Sequence, residues 1–340
     1  MKKLIALLMA VLMVASLAAC GAAEEPAPTE NNAAPTEGEA VANDAPAAEP
    51  YVIGICQLVT HDALDAATQG FQDALVAILG EENVKFDLQN AAGDTNTCST
   101  IANAFVAAEV DLILANATPA LQAASAATAD IPILGTSVTG YGVAMDIADF
   151  NGTVGGNVSG TSDLAPLDEQ AAMLQEWFPD AKNVALLYCA GEANSKYQVD
   201  TVKALLEEKG YTCELFAFAD SNDMPAVAEA ACDFADVIYV PTDNSVASGT
   251  DIIDGICRAK EIPVIAGEEG ICAGCGVATL SISYYDLGYA TGEMAAQILT
   301  GEADISTMPV GYAAKVTPKY NAAICEDLGL TVPEGYEPIA

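Results

Sequence analysis

Six short polar runs recur at one kind of place in this chain, directly after an apolar run of strand type and before a helical pattern. They carry Gln57, Thr60 and His61; Asn116 and Thr118; Thr136 and Ser137; Glu192, Asn194 and Ser195; Thr242, Asp243 and Asn244; and Glu268 with Glu269. Such amides, hydroxyls and carboxylates can hold a small polar molecule by hydrogen bonds, with an acid available for a cationic group. Taken singly, each run reads as a helix cap, because Thr, Ser, Asp and Asn are favoured at that position. Taken together at one rim they favour a shared ligand pocket. All of them except His61, Glu192 and Glu269 are candidate ligand contacts.

Little else in the chain offers chemistry. There is no G-x-S-x-G elbow, no G-x-x-x-x-G-K-[ST] phosphate loop and no G-x-G-x-x-G after the first strand. The single histidine, His61, has no evident Cys or Ser partner, so the reading is of a binder rather than an enzyme. Cys272 and Cys275 in "ICAGCG" have C-x-x-C spacing, but a zinc knuckle wants a second pair or histidines. A redox motif or local disulfide remains, beside two incidental small residues in a glycine-rich loop. Cys56, Cys189, Cys232 and Cys257 sit in apolar runs, where a thiol behaves as a small hydrophobe. No metal or cofactor is expected.

The elements that must position these runs alternate. From Tyr51, β-rich segments such as "YVIGIC", "VDLILA" and "IPILGTSV" alternate with helical ones such as "DALDAATQGFQDALVAILG". The pattern repeats from "LDEQAAMLQEWF" through "NVALLYCAG", "DVIYVP" and "IPVIAG", after a glycine-rich junction, Asn151 to Asp163. This is βαβ arithmetic, which predicts an α/β fold of two doubly wound parallel-sheet lobes joined by a multi-strand hinge. The N-terminal lobe is expected over 51–160 plus 284–306 and the C-terminal lobe over 161–283 plus 307–340. Crossings are placed near Gly160, Ser283 and Thr307. Ligands of such sheets bind beyond the carboxyl ends of the strands, where the polar runs lie.

The chain begins with Lys2 and Lys3, an apolar stretch from Leu4 to Val14, and "SLAAC". Residues 1–20 read as a lipoprotein signal peptide, with Cys20 as the lipidation site. Residues 21–50, rich in Ala, Pro and Glu, cannot bury enough apolar area to offset chain entropy and read as a disordered acidic tether. The formal charge is −37, and setting aside the two leader lysines and the seven acidic residues of the tether leaves the folded part near −32. That sign excludes nucleic acid as a partner.

With those segments in place, "IGICQLVTHDALDAATQGF", "GGNVSGTSD", "GEANSKYQVDTVKA", "YVPTDNSVAS", "VIAGEEG" and "SISYYDLGYATGEMAAQIL" resemble the ABC-transporter substrate-binding proteins of the tryptophan or aromatic amino-acid-binding type. The resemblance runs from about Tyr51 to Leu330. It implies a type I periplasmic-binding-protein fold that closes as a monomer on a small solute, favoured to be an aromatic amino acid, and hands it to a permease with its ATPase. By resemblance the loops at Asn194-Ser195 and Thr242-Asp243-Asn244 face the ligand from one lobe, and those at Gln57, Asn116-Thr118 and Ser137 from the other. Many relatives read Thr-Asp-Pro where this chain has Thr139, Gly140 and Tyr141, a missing acid beside the pocket that leaves a sugar or nucleoside as the alternative ligand; a ligand-presenting sensor lipoprotein of this fold is the alternative to transport. For an amino-acid ligand the sole arginine, Arg258, is expected far from the rim, so the carboxylate falls to N–H groups and hydroxyls near Asn194-Ser195. Asp243 or Glu268 is placed for the ammonium group, and Tyr141, Tyr284 or Tyr285 for an apolar wall. Trp177 reads as core.

Overall fold

The computed structural model describes residues 49–339. The signal peptide, Cys20 and the tether up to residue 48 lie outside the described residues. Among the described residues no helix is long and apolar enough to cross a membrane.

The first run of elements is β1 (Tyr51–Gln57), α1 (Asp62–Leu79), β2 (Val84–Asn90), α2 (Thr95–Ala107), β3 (Leu112–Asn116), α3 (Thr118–Ala127), β4 (Ile133–Val138), α4 (Tyr141–Ala144) and β5 (Val158–Ser162). The second is α5 (Leu167–Trp177), β6 (Asn183–Cys189), α6 (Ala193–Glu208), β7 (Thr212–Phe218), α7 (Met224–Phe234), β8 (Val237–Val240), α8 (Asn244–Ala247), α9 (Thr250–Ala259), β9 (Val264–Ala266), α10 (Glu269–Cys275) and β10 (Ala278–Ser281). Then follow α11 (Tyr284–Leu299), β11 (Gly311–Tyr312), β12 (Thr317–Tyr320), α12 (Ala322–Asp327) and β13 (Glu337–Pro338).

The strands form a six-stranded sheet in the order β11-β5-β4-β3-β1-β2 and a seven-stranded sheet in the order β13-β12-β10-β9-β8-β6-β7. All pairings are parallel except β10 with β12. Each sheet is buried on both faces, so its central strands alternate between two cores rather than between core and water. Ile53, Ile55, Leu112 and Leu114 face Phe71, Leu75 and Ala295 on one side. Cys56, Ile113 and Ala115 face Phe105 and Leu121 on the other. In each sheet the strand order reverses beside the first strand, between β1 and β3 and between β6 and β8, and that reversal opens a crevice at the carboxyl ends.

Helix α11 returns the chain to the first sheet, where three glycines let it lie against α1. A Cβ on Gly288 would stand 1.9 Å from the Ala67 carbonyl oxygen, one on Gly70 2.1 Å from the Tyr285 carbonyl, and one on Gly292 2.6 Å from that of Phe71. Backbone cannot yield that distance without separating the helices. Gly288→Ala is therefore expected to cost about 1–3 kcal/mol by overpacking, read as a lower urea midpoint at unchanged slope; wild-type stability would show that the helices do not hold this spacing.

Two expectations shift. The third crossing was placed at Thr307, but Gly311–Tyr312 still pairs beside Thr161 and Ser162 in the first sheet, so the chain passes over between β11 and β12. "ICAGCG", for which a glycine-rich loop is one of the readings, forms most of α10, because Glu268 accepts the Gly270 and Ile271 amides and caps the helix. Cys272 and Cys275 are free, buried thiols there, and burial raises both far above the range in which a thiolate forms.

Candidate functional site

At the first sheet's crevice, Gln57 and Asn116 stand side by side as register partners at the ends of β1 and β3. Both turn inward. Gln57 Nε2 donates to the Val59 carbonyl at 2.9 Å and to Asp65 at 2.6 Å, and its Oε1 accepts from the Thr68 hydroxyl at 2.7 Å. Asn116 Nδ2 donates to the Leu64 carbonyl at 2.8 Å and to Thr68 at 2.9 Å. These bonds fasten the crevice to α1. Thr136 meets Thr161 at 3.3 Å, and Thr60 is exposed and accepts from Asn90 at 3.1 Å.

The second sheet's crevice is organised by a residue that was singled out only as a loop position. Glu192, 4% exposed, accepts from the Asn244 amide N–H at 3.1 Å and Asn244 Nδ2 at 2.7 Å. It also takes the Ser245 N–H at 2.9 Å, the Ser245 hydroxyl at 2.8 Å and Asn194 Nδ2 at 3.2 Å. Asp243, fully buried, bridges the crevice: its Oδ2 accepts from the Cys189 N–H at 2.7 Å and its Oδ1 caps α8 through the Val246 N–H at 2.9 Å. Burial first, and the Glu192 charge second, push its carboxyl up to about 8. Thr242 donates its hydroxyl to the Gly267 carbonyl at 3.3 Å, and Asn194 Nδ2 reaches the Thr242 carbonyl at 3.1 Å.

The two crevices face one another across the cleft. His61 Nε2 lies 3.2 Å from Asn244 Oδ1 and joins the lobes directly. Because the Asn244 amide nitrogen already donates to Glu192, its oxygen is the acceptor and His61 carries the proton on Nε2. Burial lowers the His61 pKa, so the ring is neutral at pH 7. A cavity of about 10 Å³ remains between the lobes, lined by His61, Leu64, Asp163, Thr242, Asp243, Asn244, Ala247, Glu268 and Tyr284. That is room for about one water. A much larger hollow of about 780 Å³ lies on the hinge side, but of the candidate contacts it includes only Glu268. Size therefore does not locate the site, and the chemistry favours the small cavity.

Unsatisfied polar atoms mark the same region. Among the described residues, buried side-chain atoms without a hydrogen-bond partner include Asn116 Oδ1, Thr118 Oγ1, Ser137 Oγ and Asn194 Oδ1, all on candidate contacts at strand ends, and Asp163 Oδ1, the one of the five whose residue lines the cavity. Each such orphan costs about 1–3 kcal/mol unless something fills it. Ser137 and Ala117, next to Thr118, also hold positive φ values of 54° and 97°. Non-glycine residues in that conformation store strain, and strain of this kind gathers at ligand-holding loops.

Other candidates lie elsewhere. Tyr141 is a core pin, its hydroxyl donating to the Gly135 carbonyl at 2.9 Å and the Thr161 carbonyl at 3.1 Å, so it offers no wall to a ligand. Tyr285 is exposed and bonds Asp73 at 2.9 Å. Tyr284 does line the cavity. Arg258 pairs with Asp254 and Asp327. Trp177 is buried edge-on against Tyr336, with ring centroids 5.2 Å apart. Glu269 pairs with Lys319 at 2.7 Å.

A family model described as ABC transporter substrate binding protein matches residues 52–337. A tyrosine-binding protein of Clostridioides difficile (strain R20291) is 38% identical over 260 residues, 76% of this chain and 75% of that protein. The structure of an ABC domain in complex with L-Trp from Streptococcus pneumonia is similar at 33% identity and a TM-score of 0.81, over 86% of this chain and all of that one. The ligand-free, open structure of a substrate-binding protein with adhesive properties from Clostridium difficile shares 39% identity over 85% of this chain and 99% of that one. Its TM-score is only 0.65. The arrangement of this chain is thus nearer to the ligand-bound relative than to the open one, although identity ranks them the other way.

Proposed function

The chain belongs to the ABC transporter substrate-binding protein family, and from that premise we propose that its cleft closes on an aromatic amino acid, held outside the cytoplasm and delivered to a membrane permease. One observation carries the reading of the cleft as a binding site. Asn116, Thr118, Ser137 and Asn194, four candidate contacts drawn from both lobes, keep buried polar atoms without partners. A small polar solute supplies those partners. The aromatic preference rests on relatives named for tyrosine and found with L-Trp. Anchoring through the lipid on Cys20 belongs to the same proposal.

A cavity of about 10 Å³ admits no amino acid, so capture requires the lobes to part and reclose about their crossings. We place the hinge at the segments after β5, after β10 and between β11 and β12, with the two lobes moving as units.

The test is a thermal-shift and calorimetric screen of tyrosine, tryptophan and phenylalanine against polar amino acids, sugars and nucleosides. The expected outcome is selective stabilisation by an aromatic amino acid, about 2.7 kcal/mol at a hundred times its dissociation constant. Binding of a sugar or nucleoside alone would overturn the amino-acid reading. A second reading, a role at the cell surface other than transport, is favoured by the relative with adhesive properties. Uptake of labelled ligand that persists in cells lacking this protein would support it over transport.

A further inference from the structure

Asp163 stands where the chain first leaves the six-stranded sheet, directly after β5. It is 3% exposed. Its Oδ2 accepts from the Tyr284 hydroxyl at 3.0 Å, and Tyr284 opens α11 just beyond the second crossing. Its Oδ1 has no hydrogen-bond partner. The Thr139 hydroxyl lies near enough to favour the charged form without meeting hydrogen-bond geometry. Both Asp163 and Tyr284 line the cavity between the lobes, together with Asp243 and Glu268, and no lysine or arginine lines it.

The acids around this cavity differ in how their oxygens are used. Asp243 has one backbone N–H on each oxygen. Glu268 likewise holds the Gly270 and Ile271 amides. Glu192, behind Asn244, is occupied on both oxygens by the start of α8. Asp163 alone presents a buried oxygen with nothing on it. A desolvated carboxylate oxygen at a cation-free site is a place for a donor that carries charge.

We propose that Asp163 receives the ligand's amino group, and that its bond to Tyr284 ties that group to two of the segments by which the chain crosses between the lobes. The inference rests on the amino-acid reading above. It makes the amine the recognised group and makes the same contact favour closure, since a cation on Asp163 is fully desolvated only when the cleft is shut. The carboxylate of the ligand then meets only neutral donors.

Calorimetric titration of the mature protein and of Asp163→Asn with three probes tests this: L-tyrosine, tyramine, which keeps the amine, and 4-hydroxyphenylpropionate, which lacks it. Asp163→Asn is expected to weaken tyrosine and tyramine by roughly 30-fold or more, as for loss of one partner of a buried charged pair. The deaminated acid is expected to bind the variant at least as well as the wild type. Equal losses for all three probes, or none, would overturn the inference while leaving amino-acid binding intact. Failure of the wild type to bind any amine-bearing probe, including tryptophan and tryptamine, would overturn the functional reading and this inference together. Tyr284→Phe, which keeps the ring, provides the same comparison should the aspartate variant not fold. Its loss is expected to be smaller, about fivefold, and again confined to the amine-bearing probes; an equal loss for the deaminated acid would count against the tie.

Discussion

Glu192→Gln is expected to lower stability by about 3–5 kcal/mol and to remove tight ligand binding, a larger effect than any substitution of a single ligand contact at the rim. Glu192 offers two acceptor oxygens to donors from Asn244, Ser245 and Asn194, and every one of its bonds is to an N–H or O–H group. Glutamine replaces one of those oxygens with an NH2 group. Turned to the Oε2 side, that group faces three N–H donors from Asn244 and Asn194; turned to the Oε1 side, it strands the Ser245 N–H, while the Ser245 hydroxyl can rotate to accept from it. One term opposes this, because removing the Glu192 charge relieves its repulsion of Asp243. The relief is the smaller term, one repulsion set against several lost hydrogen bonds. In the first orientation Asn244 also loses the bond that orients its oxygen toward His61, so the direct link between lobes goes with it. Urea unfolding and calorimetric titration check both effects, and a variant within 1 kcal/mol of wild type would show that α8 is held by something else.

How much of this was legible follows from what a periodic pattern can carry. Alternating β-rich and helical runs encode strand and helix, so the order of the long elements and the two-lobed class were readable before any coordinates. Two-residue strands carry no period, and Gly311–Tyr312, which moves the third crossing, was invisible for that reason. Tyr141 shows a different limit. Its position after β4 is that of a rim residue, but Gly135 and Gly160 leave the space its hydroxyl needs: a Cβ on either would stand 2.5 or 2.3 Å from it. Nothing local to Tyr141 says that two distant glycines make room for it.

The candidate site divides along the same line. Counting polar residues after strands found Asn116, Thr118, Ser137 and Asn194, because the topology forces strand ends to the cleft. Counting could not separate side chains that keep an unused polar atom from those that fasten the rim. Gln57 and Asp243 are bonded within their own lobes, and the backbone N–H of Cys189 that occupies Asp243 is far away in sequence. Asp163 closes the glycine-rich junction in the sequence, and only the pairing of β5 with β4 turns that junction into a strand end.

Ligand affinity and ligand-free stability are expected to move in opposite directions with pH. With the cleft shut, burial raises Asp163 from 3.8 to about 6, Glu268 from 4.5 to about 7 and Asp243 from 3.8 to about 8. The folded state thus holds more protons than the unfolded chain between pH 4 and 8, so these groups stabilise it fully below about pH 4 and that contribution is lost as pH rises toward 8. The lowered pKa of His61 acts in the opposite sense, but it is one group against three and its window closes near 6.5. Asp236 and Asp304, both lowered, matter only in more acidic solution. The melting temperature without ligand should therefore fall from pH 5 to pH 8.5, on the order of 5 °C. Binding runs the other way. An ammonium group on Asp163 requires the ionised carboxylate, so below about pH 6 each unit of acidification should weaken an amino-acid ligand about tenfold, while the ligand's amine stays charged throughout. From pH 7 to pH 5 the loss is about tenfold for Asp163 alone and greater if Glu268 must also ionise. Titration of tyrosine across this range, paired with melting curves at each pH, reads both arms. Affinity that stays flat or rises on acidification would remove the carboxylate from amine recognition, whatever the stability curve does.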